Sequence, residues 1–322
     1  MVSPGPRRYR ALVFLVADMR EIVTINDVGP RDGLQNQPRI LTPQQRLELV
    51  KALVAAGLNR IEIGSFVSPR AVPAMAGAAE VLAGLPQDGD SHFTVLIPNM
   101  KGYELAQAAG ATSVNMVLYA SEGMAQKNAN MGKLQAEQIT ADILQRARQD
   151  GIRVAAAIAV AFECPFDGPT DPADVQRIVA QFLQLGADEV SVADTIGAAH
   201  PAQVRALTQT LVERHGAERL SCHFHDTRAM GLANVFAALE SGIRKFDASI
   251  GGLGGCPFAP GASGNVATED VVMMLEQMGY DTGINLTQLM VAAALAQSLT
   301  GTAPGGRATP WLRRHLEHSK GH

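Results

Sequence analysis

Short β-branched, apolar runs alternate along the chain with longer amphipathic stretches, and a few Gly, Pro, Asn or Asp residues separate them. Eight runs read as strands: Ile22 to Val28, Arg60 to Ile63, His92 to Ile97, Ser113 to Leu118, Arg153 to Val160, Glu189 to Ala193, Leu220 to His225 and Lys245 to Ser249. Between and after them the apolar spacing turns helical, over Pro43 to Ala56, Pro73 to Leu85, Gly102 to Ala109, Gln135 to Gln149, Pro172 to Leu185, Pro201 to His215, Met230 to Ser241 and Ala267 to Met278. Thr42-Pro43 and Asp171-Pro172 each supply a capping oxygen and a proline suited to a first turn. Gly57, Gly110, Gly151, Gly186 and Gly242 close helices, where a left-handed residue is often needed. Eight strand–helix units with no linker-like stretch and no internal repeat predict one α/β core, a (β/α)8 TIM barrel with extra C-terminal helices. The tail after Gly283 adds two helical segments, one from Leu286 to Ser298. The expected division is a leader over 1–20, a catalytic barrel over 21–283 and a helical extension over 284–322.

Composition narrows the class. The 322 residues, 47% hydrophobic and 18% charged, are too many for a mini-protein and too apolar for a disordered chain. With only 5% aromatics, the high Ala and Gly content favours tightly packed helices over a sheet sandwich. Lys and Arg number 27 against 31 Asp and Glu, and no basic block interrupts the chain. Nucleic acid and anionic membrane are therefore poor partners, and a small-molecule enzyme leads. Cys164, Cys222 and Cys256 are too scattered for a disulfide framework and form no CxxC pair, which suits reduced thiols in the cytoplasm. Arg7, Arg8 and Arg10 precede the apolar run Ala11 to Ala17, but the run is short and no A-x-A site follows. A disordered leader, or a start at Met19, is expected rather than export.

A barrel of this kind carries its chemistry at the C-terminal ends of its strands. There the chain places His223-Phe224-His225-Asp226. Residues two apart on a strand share a face, so both imidazoles point one way with Ser221, and Leu220, Cys222 and Phe224 point the other. Acidic company strengthens the reading of such a pair as a metal site, and the run VGPRDG supplies it with Arg31 and Asp32 just past the first strand. Two neutral imidazoles, a carboxylate and a further oxygen donor suit Mg2+ or Mn2+ better than a closed zinc site.

The segment 249–265, SIGGLGGCPFAPGASGN, holds six glycines and lets backbone approach a ligand closely. It contains no GxxxxGK[ST] phosphate loop. Cys256, preceded by two glycines, is placed to give or take a proton, where a structural cysteine would sit among larger apolar neighbours. Glu62, Asn99 and the Asp194-Thr195 pair also fall at strand ends, and each has a plain structural reading beside the functional one. Glu62 alternates with Ile61 and Ile63, so an inward carboxylate there calls for a partner, and Arg31 is the nearest by strand order.

VGPRDGLQN at 28–36, IEIGSFVSPRAVPAM at 61–75, SEGMAQKNAN at 121–130, ADTIG at 193–197, HFHDT at 223–227 and GGLGGCPFAPGASGNVATED at 251–270 resemble, in order, the motifs of the 3-hydroxy-3-methylglutaryl-CoA lyase family. The resemblance spans about residues 22–280. It implies a metal-dependent barrel that uses Mg2+ or Mn2+ to cleave 3-hydroxy-3-methylglutaryl-CoA (HMG-CoA) into acetyl-CoA and acetoacetate, within leucine degradation and ketone-body formation. It also implies an acyl-CoA substrate and a homodimer or higher homo-oligomer. By the same resemblance Asp32, His223, His225 and Asn265 are metal ligands, Arg31 faces the thioester carbonyl, and Cys256 is the loop cysteine needed for turnover. Gln35, Ser65, Asn99, Ser191 and Thr195 match positions that line the family's substrate pocket.

These residue types agree with a retro-Claisen cleavage. Permanently cationic Arg31, steadied by Glu62, stabilises charge on an enolate oxygen. Asp32 or His223 takes the hydroxyl proton, with His223 favoured by family analogy, and Cys256 protonates the enolate carbon. Three residues depart from the family pattern: Arg228 stands where an aromatic is common, Glu163 where a glycine is common, and Phe258 where a tyrosine is common. Arg228 and Glu163 are expected near the acyl or CoA approach, so a different 3-hydroxy-3-substituted acyl-CoA is the closest alternative. A Claisen-type acyl-CoA synthase would carry a GERxGN-like motif in place of ASGNVATED, and a binding barrel without metal would have lost a ligand.

Overall fold

The computed structural model describes residues 20–86, 89, 91–255, 264–302 and 305–318. The leader up to residue 19, Cys256 and Phe258 lie outside the described residues. Eight parallel strands close a barrel: β1 Thr24–Asp27, β2 Arg60–Ser65, β3 His92–Leu96, β4 Ser113–Tyr119, β5 Arg153–Ala159, β6 Glu189–Asp194, β7 Leu220–Phe224 and β8 Lys245–Ala248. Around the ring the order is β1, β8, β7, β6, β5, β4, β3, β2 and back to β1. β8 pairs in register with β1 through Asp27 and Ala248, and with β7 through Asp247 and His223. That closure brings the ends of the first and last strands side by side.

Helices α1 Pro43–Ala55, α2 Ala78–Ala83, α3 Met100–Ala108, α4 Glu122–Ala129, α5 Lys133–Asp150, α6 Pro172–Leu185, α7 Pro201–His215, α8 Gly231–Glu240 and α9 Thr268–Gln277 surround it. In α6 the residues Val175, Ile178, Val179 and Phe182 recur at helical spacing and are fully buried, each burial worth about 1.5 to 3 kcal/mol. Thr42 caps α1 with a reciprocal Gln45 contact, and Asp171 caps α6, as their Thr-Pro and Asp-Pro signatures predict. The TIM barrel expected from the alternation is the fold observed.

Local boundaries differ where backbone chemistry intervenes. The first strand stops at Asp27, because Gly29 to Gly33 wind into a π-type turn. The single helix expected over Pro73 to Leu85 is a 3-10 turn, Pro73–Met75, and then α2, separated by Gly77 at φ +74°. Helix α4 had no counterpart in the periodicity, since its eight residues bury only Met124 and Ala125. Beyond the barrel, α10 Leu286–Thr300 lies against α1, and α11 Thr309–His318 follows it. Glu269 and Asp270 at the start of α9 bind this tail, accepting from the backbone N–H groups of Gly306, Arg307 and Ala308. Among the described residues no helix is long and apolar enough to cross a membrane.

Candidate active site

The turn after β1 aims the first two functional groups. A Cβ on Gly29 would come within 2.7 Å of Asp27 Oδ1, and one on Gly33 within 2.8 Å of both the Leu253 and Ser249 side chains. Glycine therefore lets this turn seat against the segment after β8, leaving Arg31 and Asp32 over the barrel mouth. Arg31 Nη1 donates to Asp32 Oδ1 at 2.8 Å, and its Nε donates to Glu62 Oε2. Glu62, only 1% exposed, also accepts from Asn115 Nδ2 at 2.9 Å. The inward carboxylate on β2 thus has the partner expected for it. Burial pushes Glu62 upward while Arg31 pulls it down, and the net direction is up.

His223 and His225 share the inward face of β7, with ring centroids 5.2 Å apart. His225 Nε2 lies 3.9 Å from Asp32 Oδ2. One ligand atom from each of Asp32, His223 and His225 falls within 4.8 Å of the others. Asn265 joins them because its segment zips onto β7: Val266 N donates to Phe224 O, and Asp226 N to Gly264 O. Asn265 Nδ2 then donates to Asp32 Oδ2 at 2.8 Å and to Leu253 O at 3.0 Å. Its Oδ1 is buried and has no hydrogen-bond partner, and neither has His225 Nδ1. A buried acceptor without a donor is costly unless something else fills its place.

The electrostatics suit a cation. Burial alone would raise Asp32, but Arg31 and the two imidazoles hold it down at about 2, so it is ionised. Burial and the neighbouring His223 lower His225 to about 4, leaving a neutral imidazole. Burial also opposes charge on His223, yet the contact with Asp247 outweighs it and the shift is upward. An ionised carboxylate, neutral imidazole and an amide oxygen without a partner form the mixed N/O set that hard or borderline divalent cations take.

A cavity of about 480 Å³ opens beside this cluster, with Arg31, Asp32, His223, His225 and Asp247 on one wall. Gln35, Asn99, Thr195 and Gly255 line it as well. Asn99 also caps α3 through Oδ1 to Gly102 N, so its amide nitrogen is the end left for a ligand. Thr195 Oγ1 accepts from Val160 N at 2.8 Å, which pins Val160 in the left-handed region at φ +53°. Ser65 and Ser191 are buried with unpartnered hydroxyls and do not line the cavity. Asp194 caps the turn after β6 by accepting from Ala198 and Ala199 N–H, and burial pushes it up to about 6. Arg228 and Glu163, expected near the substrate approach, lie 3.7 Å apart as an ion pair and do not line it, since each satisfies the other.

Two groups escaped the sequence reading. Asp247 Oδ2 lies 3.1 Å from His223 Nδ1, and Asn115 steadies Glu62. Asp247 alternates with buried Phe246 and Ala248, the same charged-inward signal that marked Glu62.

Residues 22–296 match the HMGL-like family. The chain is 46% identical over 285 residues to (R)-citramalyl-CoA lyase of Chloroflexus aurantiacus, covering 85% of this chain and 89% of that one. It is 41% identical over 288 residues to hydroxymethylglutaryl-CoA lyase of Pseudomonas mevalonii, covering 89% and 96%. A hydroxymethylglutaryl-CoA lyase from Acinetobacter baumannii, solved with coenzyme A and 3-methylmalate, superposes with a TM-score of 0.86 at 39% identity, covering 90% and 94%. The match spans the barrel and the site together, and the chain belongs to the HMGL-like family of lyases.

Proposed function

We propose that this protein is a divalent-metal-dependent retro-Claisen lyase that cleaves HMG-CoA into acetyl-CoA and acetoacetate. The observation that carries the reading is the convergence of Asp32, His223 and His225 with the unpartnered Oδ1 of Asn265, directly beside Arg31. These four residues would hold Mg2+ or Mn2+. Such an ion, when bound, acidifies a substrate hydroxyl and fixes its orientation.

The protein's own groups handle the rest of the reaction. As the C3 hydroxyl loses its proton and C3 becomes a carbonyl, the C2–C3 bond breaks and its electrons pass to the thioester oxygen. Arg31 is held by Glu62 and Asp32 to meet that developing charge, a contribution of about 3 to 4 kcal/mol for a well-placed donor. Asp32 or His223 receives the hydroxyl proton, and Asp247 against Nδ1 favours the imidazole by stabilising its charged form. That contact leaves His223 one ring nitrogen for the cavity side. Cys256, one residue beyond cavity-lining Gly255, gives a proton to C2 of the enolate, releasing acetyl-CoA. Gln35, Asn99 and Thr195 bind the acyl-CoA around the reacting carbons.

The likeness to a citramalyl-CoA lyase supports a second reading with the same chemistry. There the carboxylate sits on C3 itself, and the second product is pyruvate. A Claisen-type synthase is disfavoured by the ASGN run that ends at Asn265, in place of GERxGN, and by Cys256. The reading carries with it a cytoplasmic homodimer or higher oligomer, a barrel over 21–283, a dispensable leader and a C-terminal extension. Described Cys164 and Cys222 are free thiols, in keeping with a reducing compartment. The test is kcat/KM for HMG-CoA and citramalyl-CoA with the Mg2+-loaded enzyme. A preference for HMG-CoA supports the first reading, and a preference for citramalyl-CoA replaces it with the second.

A further inference from the structure

The segments that bring Asp32, His225 and Asn265 together are all held by residues of the C-terminal extension. Thr302 Oγ1 donates to Gln37 Oε1, and Gln37 Nε2 donates at 3.0 Å to Gly33 O, in the turn that carries Asp32. Glu269 ties the segment after β8 to the extension, since its two oxygens accept from Gly251 N at 3.0 Å and Gly306 N at 2.7 Å. Arg307 Nε donates at 2.8 Å to Oδ2 of Asp226, the residue next to His225. A Cβ on Gly306 would collide with the Asp270 carboxylate, so glycine lets residues 305–309 lie close on the start of α9 as a strap.

Asp226 sits where two of the ligand-bearing segments meet. His225 and Asn265 form an antiparallel bridge, and Asp226 N donates to Gly264 O at 3.0 Å, closing the end of that pairing. Its carboxylate is held at both oxygens: Gly231 N, at the start of α8, donates to Oδ1 at 2.8 Å, and Arg307 donates to Oδ2. A side chain fixed twice fixes the backbone that carries His225 on one side and pairs with the Asn265 segment on the other. The Arg307 guanidinium is not what seats the strap. The backbone N–H groups of Gly306, Arg307 and Ala308 do that, on the buried carboxylates of Glu269 and Asp270. The Arg307 side chain is 63% exposed, and an ion pair so exposed adds little to global stability. Its effect is local, on Asp226.

We propose that Asp226 and Arg307 are positioning residues for the metal centre, so that seating of the C-terminal strap and binding of the cation favour each other. The inference rests on the metal reading above, and its test separates the two. Metal-stripped wild type, R307Q, R307K and D226N are titrated with Mn2+ alone, the free ion being counted by its paramagnetic resonance signal. R307Q binds about three- to fivefold more weakly, the ceiling for one exposed pair, and R307K stays within about twofold of wild type because lysine restores the charge. D226N loses about tenfold, since its amide nitrogen must face a donor at Gly231 or Arg307. Metal-free melting temperatures of R307Q and wild type agree within about 1 °C. Reciprocity requires that Mn2+ slow amide exchange at Gly306, Arg307 and Ala308 in the wild type, and less so in R307Q. Wild-type affinity in R307Q or in D226N overturns the inference while the metal reading stands, and so does strap exchange that ignores Mn2+. Weaker binding by R307Q matched by a lowered metal-free Tm assigns the pair to general stability and overturns it too. A wild type that binds no Mn2+ rejects the metal reading, and the inference with it.

Discussion

Asp247 Oδ2 lies 3.1 Å from Nδ1 of His223, and the other oxygen of Asp247 accepts from Asn26 Nδ2 at 2.7 Å. The carboxylate is held from behind and fixes which ring nitrogen of His223 faces the cavity. Such partners set the tautomer and basicity of a ligating histidine. The substitution Asp247→Asn is expected to lower Mg2+ or Mn2+ affinity and kcat/KM by about 10- to 100-fold with an unchanged circular-dichroism spectrum. Equal affinity and activity in the variant would remove Asp247 from the site.

Arg31 meets two carboxylates through a planar fork, with Glu62 on Nε and Asp32 on Nη1. Lysine keeps the charge but loses that geometry. Arg31→Lys is expected to cut kcat by about 10²- to 10³-fold, chiefly in kcat rather than KM, because the interaction strengthens as the enolate forms. Steady-state kinetics that show only a raised KM would assign Arg31 to ground-state binding.

Cys256→Ala and Asp32→Ala are each expected to reduce turnover by orders of magnitude without unfolding the chain. Solvent-deuterium exchange into acetyl-CoA separates the two. Cys256→Ala, which lacks the group that moves the C2 proton, loses that exchange, whereas Asp32→Ala also loses metal affinity. Activity near wild type in either would end its assigned role.

Asp27 is fully buried beneath the site, where its oxygens accept from Gly29 N and Thr268 Oγ1, and burial raises it to about 7. Below the usual value of 3.8 it is protonated both folded and unfolded. Between 3.8 and about 7 only the folded form keeps the proton, so this group's contribution to stability declines as pH rises through that window and levels off above it. The full decline is on the order of 4 kcal/mol. Asp27→Asn is expected to remove that slope, with Thr268 turning its hydroxyl to accept, and to raise Tm at pH 8 by several degrees relative to wild type. Thermal melts from pH 5 to 8 that run parallel in the two proteins would contradict it.

What the sequence disclosed follows from where side-chain identity decides structure. The eight alternations, the Thr42 and Asp171 caps and the shared face of His223 and His225 are periodic or local signals, and each survives in the fold. The Arg31–Glu62 pair was legible because a carboxylate between two isoleucines needs a counter-charge. Contacts set by ring closure were hidden. Asp247 meets His223 only because β8 pairs with β7, and Glu163 meets Arg228 only because the turns after β5 and β7 converge. Helix α4 was missed because an eight-residue helix with two buried side chains leaves almost no periodic trace.

Metal dependence and carbon–carbon cleavage stand or fall together under chelation. The protein is stripped with EDTA, dialysed and incubated with HMG-CoA, with and without added Mg2+ or Mn2+, and acetyl-CoA and acetoacetate are quantified. The expected result is no product after chelation and both products, in equal amounts, once the ion is restored. Full activity in the stripped protein, or thioester loss giving free coenzyme A without acetoacetate, would contradict the account.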